Sequence, residues 1–324
     1  MTTILVTGVG AVIGYGILRS LRQTGRSLHL IGADIYPDAV GQAWADTFLR
    51  APLTADSRYM EWLEDTLREH QVALVMPGIE QDAHFYSEHR ELFDRLGVRV
   101  VLNDKRLVAL TQDKWLMHQE LERIGSNLRI PSYTSGSFDA LAAACGLPFL
   151  LKPKCGYASK GLLRIRSLED FSPQAHKLGD THMAQPIVGS DDEEYTVGVF
   201  CDRGGVVQAS ITLQRRLAPD GSTGKAWVRQ CPDLDEAVAS LCAHFKAVGP
   251  TNLQFRRTQD GWKLLEINPR ISSSTSIRAA FGYNESEMCL DFYLSGKEIR
   301  QPRIRPGFAV RYIEDHIVHD RDHF

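Results

Sequence analysis

Glu266 and Asn268 stand two residues apart in Trp262-Lys-Leu-Leu-Glu-Ile-Asn, a run that reads as a strand. Side chains two apart on a strand share one face of the sheet, so a carboxylate and an amide oxygen point the same way. Upstream, Leu253 and Phe255 alternate with Gln254 and Arg256, and Gln259-Asp260-Gly261 supplies turn chemistry between the two runs. A hairpin closed at that turn brings Gln254 to the face of Glu266 and Asn268. One carboxylate and two amide oxygens suit a hard cation such as Mg²⁺, which takes oxygen ligands and keeps company with phosphates. Pro269 stops the strand, and Arg270 sets a fixed cation just beyond it. The plainer alternative is a solvated hairpin whose polar residues face water.

Other residues have the chemistry to meet an anion. Phe149-Leu-Leu-Lys152-Pro is a strand carrying a lysine, followed by Lys154-Cys-Gly156-Tyr-Ala-Ser159-Lys160-Gly161. Glycines let backbone N–H groups approach phosphate oxygens, and Ser159 and Lys160 add donors. The GxxxxGK[ST] phosphate loop is absent. Lys114 opens a helix for which Thr111 is a plausible cap, and alone it reads as a surface charge. Ile271-Ser-Ser-Ser274-Thr-Ser-Ile-Arg278 begins another helix, whose N–H groups and hydroxyls make either an anion site, with Arg278 a turn further on, or simple caps. Residues 215–229 form a loop rich in glycine and cations, in which Arg215 or Lys225 could reach an anion.

These residues need a frame to hold them. Short apolar strands at residues 3–8, 28–34, 72–76 and 98–102 alternate with helices over residues 57–70 and 83–96, which predicts a parallel sheet covered on both faces. Gly8, Gly10 and Gly14, with Asp34 downstream, imitate a dinucleotide fingerprint and leave an NAD-dependent dehydrogenase or epimerase open. A tight strand-to-helix turn needs glycine whether or not a pyrophosphate sits there, and no YxxxK follows. Glu80 and Asp82 follow the third strand, where loops line the ligand crevice of an open sheet. They either hold a substrate amine or cap the next helix.

Asn252-Leu-Gln-Phe followed by Leu-Glu-Ile-Asn-Pro-Arg resembles the metal hairpin of the ATP-grasp superfamily, in its carbamoyl-phosphate-synthase-like branch. The resemblance implies an α/β fold with an α+β lid: a Rossmann-like lobe at 1–110, a linking helix and lid at 111–186, and an ATP-grasp core at 187–324. It implies Gln254, Glu266 and Asn268 as ligands of one or two Mg²⁺, for which Mn²⁺ can substitute, and Arg270 facing the transferred phosphate. Lys114, Lys152, Lys154, Gly156, Ser159, Lys160 and Gly161 would meet the phosphates of ATP. Gln185, Pro186 and Ile187 form the adenine hinge, with Gln185 where an acid is more usual, and Glu194 grips the ribose. Arg270 and Lys152 would then be catalytic, and Glu80, Asp82, Ser274 and Arg278 would face substrate. The implied activity is ligation of a carboxylate to an amine or ammonia through an acyl-phosphate, with ADP and phosphate released. A regulator that only binds ATP is a further alternative, against which Arg270 speaks.

Composition narrows the rest. With 324 residues, 43% of them hydrophobic, the chain can bury a sizeable core. A net charge of −3 gives no reason to expect nucleic acid or an anionic membrane surface as partner. Six scattered cysteines without CxxC spacing fit reduced thiols in a cytoplasmic enzyme. The N-terminus lacks a signal-peptide pattern and no apolar run approaches a membrane span. The expected partners are small-molecule substrates, and a homodimer is left open.

Overall fold

The computed structural model describes residues 1–156, 161–219 and 221–317. The chain begins with a five-stranded parallel sheet built from β1 (Thr2–Thr7), β2 (Leu28–Asp34), β3 (Thr47–Arg50), β4 (Leu74–Pro77) and β5 (Arg99–Val100), in the order β3-β2-β1-β4-β5. Helices α1 (Val12–Arg22), α2 (Tyr59–Glu69), α3 (Glu80–Glu88) and α4 (Arg90–Leu96) cover it. Ile4, Leu5 and Val6 of the central strand are all fully buried, as a strand packed on both faces requires. The expected third and fourth strands are shorter than drawn from sequence, and the expected single helix over 83–96 breaks into α3 and α4 at His89. β3 was not expected, because Thr-Phe-Leu-Arg is too short to show a period.

Strand order reverses between β1 and β4, and the loops leaving those strands form a crevice at the sheet's C-terminal edge. Gly8 turns there at φ +63°, and a Cβ on Gly14 would lie 2.2 Å from Gly8 O, so the turn is closed to larger residues. Asp34 anchors this turn: its Oδ2 accepts from Gly10 N at 2.7 Å and its Oδ1 from Tyr36 N at 3.0 Å. The acid that a dinucleotide ribose would need is therefore engaged by the turn itself, which favours a fold-forming role for these glycines.

Helices α5 (Lys105–Thr111) and α6 (Lys114–Arg123) lead to a lid of α7 (Phe138–Cys145), α8 (Leu168–Phe171) and an antiparallel sheet, β6 (Phe149–Pro153), β7 (Leu163–Ile165) and β8 (His182–Pro186), ordered β7-β6-β8. Thr111 ends α5. Asp113 caps α6, accepting from Trp115 N and Leu116 N, so the expected cap falls two residues early.

The core is a six-stranded antiparallel sheet in the order β13-β12-β9-β10-β11-β14. It comprises β9 (Glu194–Cys201), β10 (Val207–Leu217), β11 (Thr223–Arg229), β12 (Gly249–Thr258), β13 (Gly261–Asn268) and β14 (Phe308–Val310). The stretch over 215–229, expected as a loop, instead supplies the end of β10 and all of β11, which pair antiparallel with Arg215 opposite Ala226. Alternation assigns the two faces. Tyr195, Val197, Val199, Leu253, Phe255 and Ile267 pack beneath α5, α6 and α9 (Pro232–Phe245), leaving even-numbered neighbours for the opposite face. On that face Phe200, Ile211 and Leu213 share one core with Ile4, Val6 and Ile17 of the N-terminal lobe. Helices α10 (Thr275–Ala280) and α11 (Glu285–Cys289) complete it. Among the described residues no helix is long and apolar enough to cross a membrane, and the six cysteines are free thiols.

Candidate active site

A cleft of about 440 Å³ lies between the lid and the open face of the core sheet. From the core come Gln254, Glu266 and Asn268. The β12–β13 register sets Gln254 opposite Glu266 and Asn252 opposite Asn268, with an irregularity after Gln254 that lets Leu264 reach the core while Leu265 faces the cleft. From the lid comes Lys152, on the face of β6 opposite to buried Phe149 and Leu151. Its Nζ donates to Leu265 O at 3.4 Å, beside Glu266. Burial pulls the Lys152 ammonium down to about 8; Glu266 opposes that shift, and Lys114 adds to it.

Lys114 also lines the cleft, its Nζ donating to Gly156 O at 2.6 Å. Gln185, Pro186 and Ile187 form the wall where lid meets core, and Gln185 Nε2 donates to Ser132 Oγ at 2.8 Å. Glu194 is buried between two guanidinium groups: Arg215 Nη2 donates to Oε1 at 2.9 Å and Arg256 Nη2 to Oε2 at 3.0 Å. Arg215 Nη2 also donates to Gln254 Oε1 at 2.7 Å. Arg270 Nη2 donates to Glu80 Oε2 at 2.9 Å and to Asn268 Oδ1 at 3.1 Å. Its buried Nε has no hydrogen-bond partner.

Some expected residues are elsewhere. Lys154 turns from the cleft and donates to Gly179 O at 2.9 Å: β6 ends at Pro153, so the alternation that would set 154 on the face of 152 no longer holds. Arg278 is wholly buried beneath the sheet, pairing with buried Glu285 at 3.4 Å and donating to Thr196 Oγ1 at 3.1 Å. Ser274 is buried against Thr223, their hydroxyls 3.1 Å apart, and Ser272 and Ser273 line the cleft in its place. Gly161 lies outside the cleft lining, its carbonyl 3.2 Å from His182 Nε2. Ser159 and Lys160 lie outside the described residues. Asp82 belongs to a second cavity, which Glu80 also lines. Two cleft residues, Asn252 and Arg256, were given no role from sequence, although they share the period-two face of Gln254.

The chemistry of the donor set fits a hard cation held jointly with a polyanion. Glu266, Gln254 and Asn268 offer oxygens on one face, but a single carboxylate cannot neutralise a dication. No cluster of three or more His, Cys, Asp or Glu capable of holding a metal occurs among the described residues. Five cleft residues are cationic (Lys114, Lys152, Arg215, Arg256, Arg270) and two anionic (Glu194, Glu266), so the cleft favours a highly charged anion.

This lid, sheet and cleft define the ATP-grasp class. A family model described as ATP-grasp in the biosynthetic pathway with Ter operon matches residues 185–316, and one for a PylC-like N-terminal domain matches residues 4–101. The matched stretch, residues 185–316, is of the ATP-grasp family, and the chain has carbamoyl-phosphate-synthase-like relatives. The carbamoyl phosphate synthase large chain of Methanosarcina acetivorans is 21% identical over 295 residues, covering 82% of this chain and 26% of that protein. The arginine-specific mitochondrial large chain of Neurospora crassa is 22% identical over 290 residues, covering 83% and 24%. The chain thus spans about a quarter of the length of these curated relatives. Among solved structures, N5-carboxyaminoimidazole synthetase from Staphylococcus aureus, complexed with ADP, superposes with a TM-score of 0.69 at 16% identity, covering 94% of this chain and 80% of that one. The biotin carboxylase domain of Hydrogenobacter thermophilus 2-oxoglutarate carboxylase, with MgADP and bicarbonate, gives 0.71 at 15% identity, covering 95% and 73%.

Proposed function

We propose that this protein is an ADP-forming ligase that activates a carboxylate with ATP and joins it to an amine or ammonia. The observation that carries the reading is the meeting of Lys152 from the lid with Gln254, Glu266 and Asn268 from the core hairpin in one cation-rich cleft. The ADP and MgADP held by the structural neighbours support a nucleotide there.

In this reading Lys114 and Lys152 hold the phosphates, and Gln185 to Ile187 seat the base. Glu266, Asn268 and Gln254 would hold Mg²⁺, which when bound neutralises phosphate oxygens and polarises the transferred group. Arg270 stabilises charge on the moving phosphoryl group, its guanidinium fixed by Glu80 and Asn268. Arg215 and Arg256 hold Glu194, and Arg215 also holds Gln254, so in this reading those arginines act as fixed counter-charges in the cleft wall. Most of the rate comes from positioning and charge neutralisation, since phosphoryl transfer asks little covalent chemistry of the protein. Closure of lid on core excludes water from the acyl-phosphate. The test is ADP release with MgATP over a panel of carboxylates, with hydroxylamine present to trap acyl-phosphate as hydroxamate. Carboxylate-dependent ADP and hydroxamate in equal amounts support the reading. No carboxylate-dependent ADP together with no MgADP binding removes it.

A further inference from the structure

The N-terminal lobe carries a second, larger cavity of about 890 Å³ at the C-terminal ends of β1, β2 and β4. Val12, Ile13, Arg270 and Ser273 line both cavities, so the second opens onto the first beside the guanidinium assigned to the phosphoryl group. Its walls are largely apolar, with Ile35, Val40, Pro52, Leu53 and Ile79 among them. Its ionisable lining is opposite in sign to that of the nucleotide cleft: Asp34, Asp38, Glu80 and Asp82 against Arg270 alone.

Glu80 is already paired with Arg270. Asp34 and Asp82 are only 7% and 3% exposed, and no salt bridge reaches either among the described residues. Asp34 takes two backbone N–H groups, and Asp82 takes the Thr54 hydroxyl. The buried Thr7 hydroxyl lies near Asp82 without making a full hydrogen bond. Burial, with Asp34 adding repulsion, holds the Asp82 carboxyl above its usual range against the opposing Thr54 hydroxyl. A carboxylate removed from water needs a cation partner, and an apolar wall needs something other than water against it.

We propose that this cavity binds the amine substrate of the ligation, and that the substrate is a primary amine on an aliphatic or aromatic body rather than free ammonia. This rests on the ligase reading above. Ammonia would leave the apolar wall wet, and a carboxylate would meet four acids. An ammonium on a hydrocarbon body supplies the missing charge at Asp82 and covers the wall, with Arg270 and the nucleotide cleft at its open side.

The experiment is isothermal titration of the full chain at pH 7.5, with and without MgADP, using ammonium chloride, propylamine, hexylamine, phenethylamine, hexanol and hexanoate as probes. Each buried methylene contributes about fourfold in affinity, so hexylamine is expected to bind roughly sixtyfold tighter than propylamine. Hexanol and hexanoate are expected to bind at least tenfold more weakly than hexylamine. Asp82→Asn is expected to lose that preference for the amine. Leu53→Lys, at a residue 60% exposed on the cavity rim, puts a cation at the mouth in a variant expected to fold. It is expected to weaken hexylamine about tenfold and leave MgADP binding unchanged. Hexanoate binding as well as hexylamine, or ammonium chloride matching hexylamine, overturns the proposal. If MgADP binds and ammonia supports ADP release while no alkylamine binds, the ligase reading stands and this inference falls. If alkylamines bind but nucleotide does not, the ligase reading falls and takes the amine's assigned role with it.

Discussion

Lys152 is partly exposed to the cleft yet walled by protein, and its charge is contested by burial on one side and Glu266 on the other. Its folded-state value of about 8 lies below the ordinary lysine value of 10.5. The folded protein therefore sheds this proton first as pH rises, and folding stability from this group increases between about 8 and 10.5. A bound phosphate has the opposite effect, favouring the ammonium. Nucleotide binding at pH 8.5 is thus predicted to take up a proton, and at pH 6.5, where Lys152 is already charged, to take up almost none from this group. Calorimetry of MgADP binding in buffers of different ionisation enthalpy checks this. Lys152→Met is predicted to abolish most of the uptake at pH 8.5 and to weaken binding by roughly tenfold to a hundredfold, the worth of one charge-assisted contact. At this scale the sequence was legible where a residue type and its strand position agreed, as for Lys152, Glu266 and Asn268. It was not legible for Lys154, whose direction is decided by where β6 ends, nor for Arg278, whose charge gave no hint of its buried partner.

At the scale of elements, strand alternation carried most of the reading. Leu253 and Phe255 turn to the helix layer, and Gln254 and Arg256 to the cleft, as the sequence pattern implies. The glycine turn was legible too, as a turn. What sequence could not supply was the pairing of β10 with β9, which brings Arg215 onto Glu194 across the sheet. Nor could it supply the pocket beneath β9 in which Arg278 lies. A Cβ on Gly198 would come 2.5 Å from the Arg278 guanidinium, so the strand carries glycine where this side chain crosses it. Arg278→Met would leave Glu285 buried and uncompensated. The predicted loss is about 3–5 kcal/mol of folding stability, measured by urea denaturation. Adding Glu285→Leu to the same chain is predicted to recover part of it, since a buried pair replaced whole costs far less than a buried pair broken. A single variant as stable as the parent would contradict the structural role given to Arg278.

Across the whole molecule, one hydrophobic core joins the N-terminal lobe to the ATP-grasp core. Ile4, Val6, Ile17 and Leu18 pack in the same cluster as Phe200, Ile211, Leu213 and Tyr283. Sequence suggested lobes through chain length and the family resemblance, but neither reveals that two lobes share apolar residues. Shared burial predicts cooperative loss of both, so far-UV circular dichroism and tryptophan fluorescence should report one coincident urea transition. Saturating MgADP, at about a hundredfold over its dissociation constant, is predicted to raise stability by about 2.7 kcal/mol without splitting that transition. Two separated transitions, with nucleotide shifting only one, would show that the lobes fold independently.

In the proposed reaction Glu266 faces a metal–nucleotide complex rather than water. Glu266→Gln keeps size and shape, and Glu266 makes no salt bridge among the described residues, so folding should change little. The direct measurement is ADP release with hydroxylamine present, for parent and variant, across a magnesium titration. Loss of about 4 kcal/mol of transition-state stabilisation corresponds to roughly a thousandfold slower turnover. The prediction is a fall of that size with the magnesium midpoint moved to higher concentration. Near-parental turnover at an unchanged midpoint would contradict it.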